Sequence, residues 1–250
     1  NTGYVQAAGD LMRTATATMN KDQIDEAIDM IGASLGIGSQ SAYGSCLSKH
    51  KEDFVKIFAD VVVNAKFKQE ELDKAKKQII SGLKTQKDDP KAIANNVRKV
   101  VNYGKDHPYG EVMTEESIET VTLDMCKKYY DTFWRPNIAY MAIVGDIDVD
   151  EAEELITEYF NGWEKKDVPS YEYKTPRTPL IRKVNLVDRA ESVQSVIHVT
   201  YPIVLKKGDK DVIPIRILNT ILGGNFSSRL NQNLREEHGW TYGARSSMSS

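Results

Sequence analysis

The stretch LGGNFSSRLNQNLREEHGWTY, Leu222–Tyr242, decides the fold. A run with helical apolar spacing, Val212 to Leu222, ends at the Gly223-Gly224 turn. A second helical run follows from Ser227 to His238, and Thr241 to Ser249 then reads as the start of a strand. Helix, turn, helix and strand follow one another here without a strict βαβ rhythm, which points to an α+β fold rather than a parallel doubly wound sheet.

The rest of the chain supports this class. Asn20 before Lys21-Asp22-Gln23 is a capping-box start, and Ile24, Ala27, Ile28, Ile31 and Leu35 recur at helical spacing until Gly36 and Gly38. Ile37 to Ser48 reads as a strand. Helices are expected from Glu52 to Ala65, from Lys68 to Gln86, and from Pro90, favoured at a first helical turn, to Tyr103-Gly104. After a His107-Pro108-Tyr109-Gly110 loop, Thr122 caps a helix to Trp134 and Arg135-Pro136-Asn137 forms a turn. Ile138 to Val144 alternates like a buried strand, and Asp148 with Glu151 boxes a helix ending at Trp163.

The composition then shifts. Pro169, Pro176 and Pro179 interrupt a charged stretch with no apolar stripe, a linker. Strands are expected beyond it at Ile181 to Val187 and Ser192 to Tyr201. The organisation is a first α+β domain over 1–163, a linker over 164–180, and the start of a second domain over 181–250. The chain opens on Asn1 rather than Met, so a trimmed terminus is expected.

With 250 residues, 40% hydrophobic and 28% charged, the chain has the composition of a globular protein. A net charge of −3 with scattered basic residues speaks against a nucleic-acid partner. No apolar run reaches the ~18 residues of a transmembrane segment. Cys46 and Cys126 form no metal or redox motif and read as buried free thiols. No G-x-S-x-G or P-loop occurs, and Gly36-Ile37-Gly38 follows a helix rather than opening one.

Several stretches, in order, resemble the pitrilysin/insulinase family of zinc peptidases, whose active members are inverzincins with H-x-x-E-H. They are Ile31–Leu35, Phe67–Gln78, Asp89-Pro90, His107–Gly110, Tyr129–Gly145, Leu222–Leu230 and Leu234–Tyr242. The resemblance implies two homologous domains, each a mixed or antiparallel sheet packed by helices, the second here incomplete. By the same resemblance, Gln6 and Asp10 stand where the two zinc histidines belong, Gly9 where the glutamate base belongs, and Gly82 near the third ligand. A peptidase zinc needs about three protein ligands and an open position for water. No His occurs before His50, and His50, His107, His198 and His238 are scattered, so no metal site and no catalytic residue is expected on this chain alone.

The resemblance also singles out Arg235 and Tyr242. In the family an Arg and a Tyr at this spacing bind the substrate backbone beside the zinc. An Arg offers a forked donor set to a carbonyl, and a Tyr hydroxyl can donate to the charge on a tetrahedral intermediate. What the resemblance implies is a metal-free half of a bacterial heterodimer, acting on peptides only with a zinc-bearing homologous subunit or a fused half. Non-proteolytic roles with the same fold are a structural or assembly protein and a peptide-binding module. The compartment stays open between the bacterial cell envelope or periplasm and the cytoplasm.

Overall fold

The protein is described here from a computed structural model covering residues 2–176 and 178–248. It divides into two compact units. One runs through Lys174 and takes in Leu186–His198; the other combines Thr175–Asn185 with the chain from Val199 onward.

The first unit is mainly helical. Helix α1 spans Thr2–Met12 and α2 spans Lys21–Met30. The Asn20 side chain accepts from Gln23 N and the Gln23 side chain reaches back to Asn20 N, so the capping box forms. Ile24 and Ile28 are buried on its stripe, but the helix stops at Met30. Leu35 belongs instead to a hairpin of two short antiparallel strands, β1 (Ser34–Ile37) and β2 (Ala42–Ser45), where one strand over Ile37 to Ser48 is expected. The Gly38 to Ser41 turn, closed by Gly38 N donating to Ser41 O, doubles the segment back on itself.

Helices α3 (Lys51–Val63), α4 (Gln69–Lys87) and α5 (Pro90–Tyr103) lie where apolar spacing places them. Asp89 caps α5 by accepting from Lys91 N, and Pro90 occupies its first turn. A single 3₁₀ turn, Pro108–Gly110, precedes α6 (Glu115–Glu119) and α7 (Leu123–Phe133), the latter capped by Thr122. Helix α8 (Val149–Phe160) is capped by Asp148.

Three apolar clusters hold this unit. Ala7, Ala8, Leu11 and Met12 of α1 meet Leu72 and Ile79 of α4 and Cys126 and Tyr129 of α7. Ile24 and Ile28 meet Leu35, Phe54 and Val61. Ala59 and Val62 meet Phe160, with Trp134 and Trp163 packed alongside. Burying a large side chain fully contributes about 1.5–3 kcal/mol, so these faces fix α1, α4 and α7 relative to one another. Of the two thiols, neither oxidised, Cys126 is buried and Cys46 half-buried; burial pushes the Cys126 thiol up to about 11.

The second unit contains α9 (Val212–Asn219), a π-helical turn Thr220–Gly224, a short α-turn Arg229–Asn231 and a π-helical turn Gln232–Glu237. The helix expected over Ser227 to His238 is thus present but wound in two registers.

The strands expected at Ile138 to Val144, Ile181 to Val187, Ser192 to Tyr201 and from Thr241 do not form among the described residues; Ser249, like Arg177 of the linker, lies outside them. Extended backbone has no hydrogen bonds of its own and persists as a strand only beside a partner strand. The only paired strands among the described residues are β1 and β2. Tyr140 and Val144 are accordingly exposed rather than buried. The architecture is mixed helical with one small antiparallel hairpin.

Candidate functional site

The four positions singled out for a lost metal site converge. Gln6, Gly9 and Asp10 on α1 and Gly82 on α4 line one cavity of about 1120 Å³, bounded also by the β-hairpin and by α5. The i, i+4 spacing sets Gln6 and Asp10 on one face of α1. Asp10 is open to the cavity yet has enough protein around it that desolvation raises its carboxyl above the usual range. Next to it, Arg13 donates to Leu35 O at 2.7 Å and to Asp25 Oδ1 at 2.7 Å. Burial opposes the charge on Asp25, but hydrogen bonds from Lys21 and Arg13 outweigh it and hold this carboxyl below its ordinary range.

The two glycines differ. A Cβ on Gly82 would meet nothing within 4 Å, so that wall is open. A Cβ on Gly9 would lie 2.6 Å from Ser39 N and 2.7 Å from Gly38 C, both backbone atoms of the hairpin turn. That turn is pinned. The Ser39 carbonyl accepts from the Tyr129 hydroxyl at 2.9 Å and from Trp134 Nε1 at 3.2 Å. The position that the resemblance assigns to a catalytic glutamate is therefore closed by backbone, which no rotamer change can relieve.

This donor set does not fit zinc. One amide, one carboxylate and two glycines supply no closed set of N, S or O ligands. Among the described residues no group of three or more His, Cys, Asp or Glu is placed to hold a metal ion.

Arg235 and Tyr242 lie in the second unit. Arg235 sits in the π-helical turn Gln232–Glu237, with its guanidinium 4.6 Å from the centre of the Phe226 ring and its Nε 3.3 Å from Glu236. Gly239, with φ +64°, ends this helix: its N–H donates to Arg235 O at 3.0 Å and Trp240 N to Leu234 O at 2.9 Å. A glycine suits this left-handed cap, as in a Schellman motif one residue wider. Buried Asn231 then holds the following segment, its Oδ1 accepting from Ala244 N at 2.8 Å. Tyr242 is 87% exposed, beside an exposed Trp240 that stacks on His238 at 4.2 Å. Neither the Tyr242 hydroxyl nor the Arg235 Nη groups hydrogen-bond to another described residue. The π turn at Arg235 escapes sequence reading, because one turn is too short for its wider winding to register in the apolar spacing.

The sequence resemblance stands against known proteins. The model of the family described as the Peptidase M16 inactive domain matches residues 120–250. An uncharacterized zinc protease of Bacillus subtilis, YmxG, is 25% identical over 91% of this chain and 55% of its own length. The chain thus spans about half the length of the curated relatives it matches. Among solved structures, the peptidase M16 inactive domain from Pseudomonas fluorescens superposes with a TM-score of 0.78 at 23% identity, over 96% of this chain and 60% of that one. The first half of the periplasmic protease PqqL from Escherichia coli matches with a TM-score of 0.55 at 18% identity, over 69% of this chain and 40% of that one. These two structural likenesses support the fold.

Proposed function

We propose, from the premise that the chain belongs to the peptidase M16 inactive-domain family, that it is the metal-free half of a two-part zinc peptidase and supplies Arg235 and Tyr242 to the peptide bound at its partner's zinc. On this reading the chain comprises two homologous α+β domains, 1–163 and 181–250, joined by a linker over 164–180.

The observation that carries the reading is a contrast within one chain. The metal positions hold Gln6, Gly9, Asp10 and Gly82, with Gly9 closed by backbone. Inside the matched family region, the Tyr242 hydroxyl and the Arg235 Nη groups have no hydrogen-bond partner among the described residues, while Arg235 Nε faces Glu236. A structural Tyr usually finds a partner for its hydroxyl or buries its ring.

The chemistry assigned to this chain is donation. The Arg235 fork donates to a substrate backbone carbonyl and fixes the register of the peptide. Phe226 under the guanidinium restricts its rotation, so less freedom is lost when substrate arrives. The Tyr242 hydroxyl donates to the oxygen that becomes negative as the carbonyl is attacked, an interaction stronger in the transition state than in the ground state. The zinc, held elsewhere, would supply the activated water. The name of the B. subtilis relative, zinc protease, and the description of PqqL as having a first half support a partner that is a separate subunit or a fused half.

The test is co-purification of the full-length protein, followed by elemental analysis. The expected result is zinc in the complex and none on this chain after mild chelation and dialysis. Stoichiometric zinc on the isolated chain would refute the division of labour.

A further inference from the structure

Five aromatic rings gather on the first unit. Tyr103 closes α5, His107 caps the 3₁₀ turn after it and Tyr109 lies within that turn, and Tyr171 and Tyr173 lie in the irregular segment beyond α8. Tyr103 stacks on His107 at 5.3 Å and 26° and meets Tyr109 edge-on at 5.5 Å. His107 and Tyr109 lie 5.4 Å apart. Tyr173 joins them through His107 at 5.7 Å, and Tyr171 stacks beside Tyr173 at 6.4 Å.

Such rings ordinarily build a core. Here Tyr109, Tyr171 and Tyr173 are 69%, 63% and 56% exposed. An exposed cluster of rings marks a contact surface. Tyr103 and Tyr109 also form part of the cavity wall, so this platform opens onto the amides of Gln6, Gln78 and Asn96. A primary amide carries both a donor and an acceptor, which suits a peptide backbone.

The platform already holds one peptide segment, its own. Residues 164–174 carry no helix, strand or turn, and neither Tyr171 nor Tyr173 makes a hydrogen bond to another described residue. Asn137 anchors the start of this strap, donating to Lys166 O at 3.0 Å and accepting from Lys166 N at 3.3 Å, and ring contacts hold Tyr171 and Tyr173. The strap also reaches Tyr4 of α1, whose phenol is raised by burial and further by Tyr171, Glu111 and Tyr173. The strap is tied down at Lys166 by Asn137, but its tyrosines are held by rings, and a peptide offering the same rings can displace them.

We propose that the platform of Tyr103, His107 and Tyr109 is a docking site for aromatic side chains of an unfolded peptide, occupied in this structure by the chain's own Tyr173. The site needs no zinc, no Arg235 and no Tyr242, so it stands or falls independently of the function proposed above.

The experiment is fluorescence anisotropy with the full 250-residue chain. The probe is a labelled dodecamer of Gly and Ser bearing two Tyr at alternate positions, compared with the same peptide bearing Ser there. The Tyr probe should bind more tightly than the Ser probe by about tenfold or more, since two ring contacts are gained. Tyr173→Ser, which removes the internal occupant, should tighten the Tyr probe about three- to tenfold, and Tyr109→Ala should weaken it by a similar factor. Tightening on loss of a native side chain is a result that a structural role for Tyr173 does not give. Equal binding of the two probes, weaker binding by Tyr173→Ser, or no binding by both the wild type and Tyr173→Ser would overturn the proposal.

Discussion

Gly9→Ala is the perturbation whose outcome depends most on the structure. In an ordinary helix interior the change stabilises by about 0.8–1.0 kcal/mol, because Ala is the better helix former. At Gly9 the new methyl would sit 2.6 Å from Ser39 N, roughly 0.8 Å short of ordinary contact near 3.4 Å. All three of the nearest atoms are backbone, so the hairpin turn must move as a whole. Overpacking of this kind costs about 1–3 kcal/mol. Moving the turn also strains the bonds from Tyr129 and Trp134 to Ser39 O, each contributing about 0.5–1.5 kcal/mol. Net of the helix gain, Gly9→Ala should destabilise by about 2 kcal/mol. Gly82→Ala is the matched control: its methyl meets nothing within 4 Å, and it should stabilise by about 1 kcal/mol. Urea titrations followed by far-ultraviolet circular dichroism separate the two, with midpoints moving in opposite directions. A Gly9→Ala protein as stable as the wild type, or more so, would refute the claim that the hairpin closes the base position.

Two further outcomes follow from the same cavity. Tyr129→Phe removes one of two donors to Ser39 O and should cost about 1 kcal/mol; combined with Gly9→Ala it should cost less than the sum, because both act through one turn, and strict additivity in the double-mutant cycle would contradict that. For Asp10, burial raises the folded-state carboxyl above its unfolded value, so the folded protein binds this proton more tightly and the group opposes folding once ionised. Asp10→Asn should therefore raise the melting temperature at pH 7, and the gain should fade as pH drops through the folded value and vanish below about pH 3.8, the ordinary carboxyl range; a gain that persists at pH 3 would contradict this cause.

The helices were legible in the sequence because their signals are local. Asn20, Asp89, Thr122 and Asp148 each cap the helix that apolar spacing announces. The strand segments were not, because alternation in Ile138 to Val144 records only a capacity to pair, and pairing depends on a neighbour elsewhere in the chain or beyond it. The hairpin in place of one long strand turned on the Gly38 to Ser41 turn, which reads equally as flexible strand. At the site, the resemblance placed Gln6, Gly9, Asp10 and Gly82 around what proves to be one cavity. It gave no hint that Gly9 is closed while Gly82 is open, since that difference lies in the backbone of a distant turn. The ring platform was missed for a related reason. Tyr103, His107 and Tyr109 are close in sequence, but Tyr171 and Tyr173 come to them from beyond α8, far along the chain.

On the function proposed above, this chain donates to a reaction whose metal it does not hold. Tyr242→Phe puts this to the sharpest test, since it deletes one exposed hydroxyl with no hydrogen-bond partner among the described residues. The measurement is turnover of an unstructured peptide by the reconstituted two-part enzyme, with pairing checked by size-exclusion chromatography and stability by thermal melting. The expected result is a loss of about 100- to 1000-fold in turnover, as for removal of an oxyanion donor, with pairing intact and stability changed by no more than about 0.5 kcal/mol. Full activity in an intact Tyr242→Phe complex would contradict it.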